Sequence, residues 1–300
     1  MSAPRAAKAR RRLSPVAIGL IWISPWLVGF LWFLAIPAAM SLYYSFTDYS
    51  LLERPVGIGL GNYKEMLGDR LFWAAARNTG LYTVISVILG GALSLALAVL
   101  LEQRLRGTSI VRALVFFPTL VPIVAAAIGW RYLFTADNGL LNNILTTLHL
   151  PALDWIGDPH VALFSLMLMG LWFCGSAVVI YTAALREVPV SLYEAAALDG
   201  LGPIRRFVSV TLPSISPAVL FNTVMSTIWS MQIFAAPLLM TKGGPDNATL
   251  SFSLYVYRNA FEYGRMGYAS ALAWVQLLLA IALTLIALTL SRRFTHYRSA

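Results

Sequence analysis

The chain has 300 residues, 59% of them hydrophobic and only 12% charged. A water-soluble domain carries about 25% charged residues, so this composition excludes a chain bathed in water on all sides. The formal charge of +9 is spread over segment ends rather than gathered in one groove, which argues against nucleic acid, and the single cysteine, Cys174, excludes an internal disulfide.

A helix that crosses a bilayer needs about 20 apolar residues. Six stretches qualify, at 15–42, 79–101, 113–130, 161–185, 214–240 and 267–290. The basic segment 1–14 precedes an apolar run too long for a cleavable leader. Pro25, Pro37, Pro118, Pro122, Pro217 and Pro237 fall inside the apolar stretches. A broken helix survives in lipid only where its freed carbonyls face protein or a watery cavity, so these helices are expected to pack around a path. The expected fold class is all-α, a polytopic membrane domain of six helices over 15–291.

Lysine and arginine set the orientation. Arg5, Lys8 and Arg10–Arg12, then Arg104, Arg106 and Arg112, then Arg186, Arg205 and Arg206, and finally Arg292, Arg293 and Arg298 all fall on one side, with the larger share of the 22 basic residues. By the positive-inside rule that side is cytoplasmic. Both termini (the tail being 292–300) and the loop 186–213 are therefore expected inside the cell.

That loop reads as a short helix, a glycine break and the start of another helix. Ser191 and Glu194 have capping-box spacing, in which each side chain satisfies a backbone N–H at the helix start. Ala195–Ala197 favour helix and keep its surface thin. Gly200 suits a left-handed closing residue, and Pro203 the first position of a new helix.

Glu194-Ala195-Ala196, Gly200, Val210 and Leu212-Pro213 together resemble the EAA loop of binding-protein-dependent ABC-importer permeases, with Val210 where isoleucine is usual. The resemblance extends along the chain. Ser24-Pro25-Trp26, Ile36-Pro37, Tyr44–Asp48, Gly59-Leu60-Gly61-Asn62-Tyr63, Phe116-Phe117-Pro118, Trp130-Arg131 and Thr241-Lys242-Gly243-Gly244-Pro245 are similar to the carbohydrate branch, and within it to the first of two paired permeases. The maltose permease of that branch has extra N-terminal helices and a large external insertion that this chain lacks. The resemblance implies a type I importer permease fold with a cytoplasmic coupling loop, carried by Glu194, Ala195, Ala196, Gly200, Leu212 and Pro213. It implies a second permease, two copies of an ATPase subunit that binds ATP and Mg, and an extracytoplasmic solute-binding protein. The place is the prokaryotic inner membrane, amid its lipid.

The chain's own chemistry fits a subunit that is not an enzyme. Lys8, Lys64 and Lys242 do not follow a glycine, so no phosphate-cradling Gly-Lys-Ser/Thr loop exists, and no cofactor is expected on this chain. His149, His160 and His296 lack metal-ligand spacing, and no metal is expected. Gly175-Ser176 suggests an intramembrane serine protease only until a base is sought; the helix offers no histidine or lysine.

The six apolar stretches hold no Asp, Glu, Lys or Arg, which favours a neutral, hydroxyl-rich solute such as a sugar or oligosaccharide. Glycerol 3-phosphate or a related polyol phosphate is the alternative, and a permease of another ABC class is the less favoured one. Asn222, Ser226, Trp229, Ser230 and Ile233 share helical spacing in the fifth stretch, with Gln232 at the edge. Trp172, Phe173 and Ser176 lie at similar depth in the fourth. Amides and hydroxyls for a sugar's oxygens, and flat rings for its C–H face, make these the candidate solute contacts. Their alternative role is helix packing, at about 1 kcal/mol each. The loops 48–77 and 242–265, glycine-containing and aromatic, suit docking of a binding protein, and Gly243–Asp246 is a tight-turn sequence.

Overall fold

The computed structural model describes residues 14–103, 107–137 and 139–291. The basic N-terminal segment up to residue 13, Arg104, Arg106 and the 292–300 tail lie outside the described residues. Three helices are long and apolar enough to cross a bilayer unbroken: Gly19–Tyr44, Arg70–Glu102 and Met266–Thr289. Three bent pairs are long and apolar enough when each is taken as one span: Thr108–Leu120 with Ile123–Leu133 at 106°, Ala162–Trp172 with Gly175–Arg186 at 48°, and Pro203–Ser214 with Ser216–Met231 at 71°. Taken one per pair they make six, numbered here in chain order. The one strand pairing among the described residues is Thr47–Asp48 against Val56–Gly57.

Proline explains two of the bends. Val121 precedes Pro122 and is extended, as the proline ring forces, so the third span turns there. The fifth span bends at Ile215, between Pro213 and Pro217. It also ends at Met231, so the continuous helix expected over 214–240 is divided. Gln232–Phe234 are non-helical, and a π-helical turn Pro237–Thr241 follows. Pro237 brings no N–H, and its ring would clash with the carbonyl four residues earlier. The sixth span repairs the break. Gln276 Nε2 donates to Met231 O at 2.8 Å and to Ser253 Oγ at 2.8 Å. The second span starts at Arg70, nine residues before the apolar run at 79, because Asp69 caps it by accepting from Leu71 N at 2.8 Å. Charged residues such as Arg70, Arg77, Glu102, Arg112 and Arg131 thus belong to the helices near their ends.

The second span is the axis. It packs against the fourth and fifth spans and against the short helix Phe252–Tyr257, while the fifth also packs on the sixth. Gly175 lets the third span cross the fourth closely, since a Cβ there would lie 2.6 Å from Val115 O. The first span is different. Its most apolar window has no buried residue, and Trp22 and Phe33 are each 81% exposed. An all-round apolar helix with no buried face needs lipid or another subunit to cover it.

Core side chains concentrate toward the end that holds Asp69. One cluster joins Met66, Phe72, Leu250, Phe252, Tyr255 and Tyr268; a second joins Tyr82, Phe134, Trp155, Leu166, Met169 and Met240. At the opposite end the buried cluster shrinks to Ala98, Leu101, Val178 and Tyr181.

Candidate coupling loop and solute path

The helix of the EAA loop runs from Val190 to Leu198. It begins earlier than the capping-box spacing implies. Pro189, extended, is its N-cap, so Ser191 lies inside the first turn and no side-chain cap bond forms. An N-cap side chain must stand outside the helix to reach back to N–H groups, and Ser191 does not. The expected capping box is therefore absent, and Glu194 is an exposed carboxylate on the helix surface. The other end matches expectation. Gly200 takes φ +72°, Gly200 N donates to Ala197 O, and Leu201 N donates to Ala196 O at 3.0 Å. Those two bonds close the helix with a left-handed residue. Pro203 opens the next helix after Gly202.

Ala196 is buried while Glu194, Ala195 and Gly200 are exposed, and Leu212 and Pro213 are half-buried. Tyr193 Oη and Thr211 Oγ1, 3.0 Å apart, tie the helix to the start of the fifth span. Arg206 Nε donates to Leu201 O at 2.6 Å. With one side held down, the helix turns Val190 and Leu198 outward, Leu198 at 90% exposure, and Ile204 projects beside it. Val190, Leu198 and Ile204 thus form an exposed aliphatic patch on an alanine-backed helix.

The candidate solute contacts divide. Trp172 and Phe173 end the first half of the fourth span, ring to ring at 5.3 Å and 72°. Both pack against the cluster of Tyr82, Leu166 and Met169, as does Ile233. Ser176 stands exposed in the first turn of the second half. In the fifth span Asn222 and Ser230 are buried inside the chain, Ser226 is half-buried, and Trp229 is 71% exposed. Gln232 is exposed in the break. The expected single polar face is thus two faces. Ser230 Oγ donates to Ser226 O at 2.6 Å, a bond within its own helix. Asn222 adjoins the Tyr181 phenol, and its Nδ2 is buried without a hydrogen-bond partner. Trp229, Ser176 and Gln232 face away from the chain's own core.

Sequence reasoning named Trp130 only within the family pattern and missed its ring contact with Trp172, edge-on at 6.0 Å. It also missed Gln276, although a lone amide in a 26-residue apolar helix is a visible signal. The motif residues Asn62 and Tyr63 acquire a physical role. Asn62 Nδ2 donates to Ser45 O and Thr47 O, each at 2.9 Å, and Tyr63 Oη to Ser45 Oγ at 2.8 Å, sealing the end of the first span. The Gly243–Asp246 sequence is a tight turn, with Lys242, Gly243, Asp246 and Asn247 all left-handed. Among the described residues no three His, Cys, Asp or Glu gather as a metal site.

Comparison with known proteins agrees with this architecture. The chain is 40% identical to the probable ABC transporter permease protein YesP of Bacillus subtilis, over 94% of this chain and 92% of that protein. It is 31% identical to the trehalose/maltose transport system permease protein MalF of Thermococcus litoralis, over 92% and 94%. The fold matches a chain of a bacterial alginate ABC transporter crystallised with an alginate pentasaccharide-bound periplasmic protein, with a TM-score of 0.81 and 22% identity over 94% of this chain and 96% of that one. The family model described as "binding-protein-dependent transport system inner membrane component" matches residues 97–296. The chain belongs to that family, the membrane-embedded permeases of ABC transporters.

Proposed function

We propose that this chain is half of the translocation path of an ATP-driven importer for a sugar or oligosaccharide. The observation that carries the reading is the EAA-loop helix, anchored at Tyr193 and Ala196 and presenting Val190 and Leu198 outward. In this reading the helix enters a groove on a separate ATPase subunit, where ATP and Mg are bound, and Glu194 fixes its register. Two such ATPase copies, a second permease and an extracytoplasmic solute-binding protein complete the assembly. Both termini and the EAA loop lie in the cytoplasm of a prokaryotic cell, and the Asp69 end faces outward.

The first span's uncovered surface and the outward-facing Trp229, Ser176 and Gln232 suit a path shared between two permeases, which rock about a site near the bilayer midplane. Trp172, Phe173 and Ser226 flank that path, while Asn222 and Ser230 are buried in the fifth span that frames it. Relatives named for trehalose and maltose support a sugar as solute. The test is uptake of labelled oligosaccharides and of glycerol 3-phosphate by cells lacking this chain, complemented with wild type or Trp229→Ala. Loss of one sugar is expected, restored by wild type and at most about a tenth restored by Trp229→Ala. Loss of glycerol 3-phosphate uptake alone would replace the sugar reading with the polyol-phosphate one.

A further inference from the structure

A cavity of about 180 Å³ opens between the third and fourth spans, at the end of the bundle where the EAA loop lies. Its walls are Val115 and Phe116 on one side and Val178 and Val179 on the other, and Arg112 and Arg186 line it as well. The two arginines differ. Arg186 Nε already donates to both oxygens of Glu102, at 3.0 and 3.1 Å. Arg112 Nε is buried and has no hydrogen-bond partner. That nitrogen is sealed off, but the rest of the Arg112 side chain is half-buried and lines the cavity, where an anion offsets the charge of the guanidinium.

The shape of the cavity narrows the choice of anion. The 12-residue helix Gly175–Arg186 runs along it for about 18 Å. At Gly175 the third span lies directly on the fourth, which closes the inner end. Arg186 marks the other end. Phe116 and Val179 on the rim are exposed and apolar, and so are the neighbouring Val111 and Leu114. A free phosphate or a sugar phosphate would leave such walls unused. A molecule with an anionic head and an apolar tail uses both parts.

We propose that this cavity is a binding site for an anionic phospholipid of the cytoplasmic leaflet, its phosphate at Arg112 and Arg186 and an acyl chain against Val115, Phe116, Val178 and Val179. The proposal rests on the membrane orientation given above and is independent of which solute is carried. Basic pockets between membrane helices on the cytoplasmic side hold lipid head groups by this same combination.

The experiment uses the whole transporter, purified and stripped of lipid. Phosphatidylglycerol, phosphatidylcholine or inorganic phosphate is then added, and retained molecules are counted by native mass spectrometry. Wild type is expected to keep one more phosphatidylglycerol per copy of this chain than Arg112→Gln does, and to prefer it over phosphatidylcholine by about fivefold or more at that site. Val179→Trp fills the apolar wall and leaves both arginines in place; it should lose the same lipid, and it carries the test if Arg112→Gln fails to assemble. Equal phosphatidylglycerol retention by wild type and an assembled variant overturns the proposal. Displacement of the lipid by millimolar inorganic phosphate, with Val179→Trp unaffected, also overturns it and leaves a simple anion site. Solute uptake measured on the same preparations separates the two readings: a wild type that transports but shows no lipid difference loses only the lipid site.

Discussion

The two ends of the bundle are built on opposite plans. At the Asp69 end the chain satisfies its own groups. Asp69 accepts from the hydroxyls of Tyr255 and Tyr268, Arg265 pairs with Glu65 at 2.6 Å and lies over the Tyr268 ring, and Asn78 Nδ2 donates to Asn247 O at 2.7 Å. Thr79 Oγ1 accepts from Phe252 N, so the second span grips the segment between the fifth and sixth. At the EAA-loop end the buried cluster has four residues, and aliphatic side chains point outward. At the Asp69 end the polar groups are paired within the chain, although Leu52, Leu67 and Phe261 are exposed there too. At the other end Val190, Leu198 and Ile204 stand exposed on the surface.

The sharpest way to break the contrast is Gly200→Val. Gly200 closes the EAA-loop helix at φ +72°, where a β-branched residue adds strain of about 1–3 kcal/mol. Open space surrounds its Cβ position, so the strain is conformational and local. The helix tilts or frays, and ATP hydrolysis stimulated by loaded binding protein should fall by more than about tenfold, since misplacement of a working surface by an ångström costs far more than its contacts. The thermal midpoint of the membrane bundle should stay within a few degrees of wild type. Normal stimulated hydrolysis in this variant would mean that the helix is not the coupling element.

At the Asp69 end the expected losses are of stability. Gly267→Ala places a Cβ 2.1 Å from Thr47 O, a backbone atom that cannot step aside. Gly267 N also donates to Tyr49 O at 3.0 Å, so the sixth span and the first lose their junction together. A cost of about 1–3 kcal/mol follows, read as a lower thermal midpoint. If Gly267→Ala melts like wild type, the two spans are not locked there.

Asp69→Asn is milder. Burial pushes the Asp69 carboxyl up, but the Tyr255 and Tyr268 hydroxyls and the Leu71 N–H outweigh it and hold the carboxyl below its ordinary 3.8. Tyr255 moves the other way, to about 12, through burial and its bond to Asp69. A folded value below the unfolded one means the stabilisation is complete above pH 3.8 and is lost as pH falls through the lowered value. Asp69→Asn should cost about 1–2 kcal/mol near neutral pH, as charge-assisted bonds become ordinary ones. Melting curves of the two proteins should converge in acid. A constant difference from neutral pH down to pH 2 would assign the effect to shape rather than charge.

How much of this was legible in the sequence follows the range of each interaction. The EAA-loop helix was, because alanines, Gly200 and Pro203 act within a turn of themselves. Its start was misread because Pro189 sets the cap and the Ser191–Glu194 spacing is common. The apolar stretches were legible from hydropathy, three of them as unbroken helices and three as bent pairs, whereas the 106° turn of the third depends on how Pro118 and Pro122 combine. The Asp69 cluster was not legible at all. Its partners are 186 and 199 residues away in sequence, and only the fold brings them together. Asn142 is similar: its amide ties Ala136, Leu153 and Trp155 into one buried knot, and nothing local distinguishes it from a loop asparagine.

Ser230→Ala is the smallest change and separates the path from its frame. Its helical spacing and its hydroxyl placed Ser230 among the solute contacts. In the fold its side chain is buried, and its hydroxyl hydrogen is used within its own helix, toward Ser226 O at 2.6 Å and Thr227 O at 3.1 Å. A serine bonded back to its own turn is replaced by alanine with little cost, because the carbonyls keep their main-chain bonds and the methyl fits the same space. The expected change in stability is within about 0.5 kcal/mol and that in uptake within about twofold. Trp229, one residue earlier and exposed, makes the informative contrast in the same assay. A drop in uptake for Ser230→Ala as large as that for Trp229→Ala would show that the hydroxyl turns into the path during transport, and the boundary drawn here between solute contacts and framing residues would have to move.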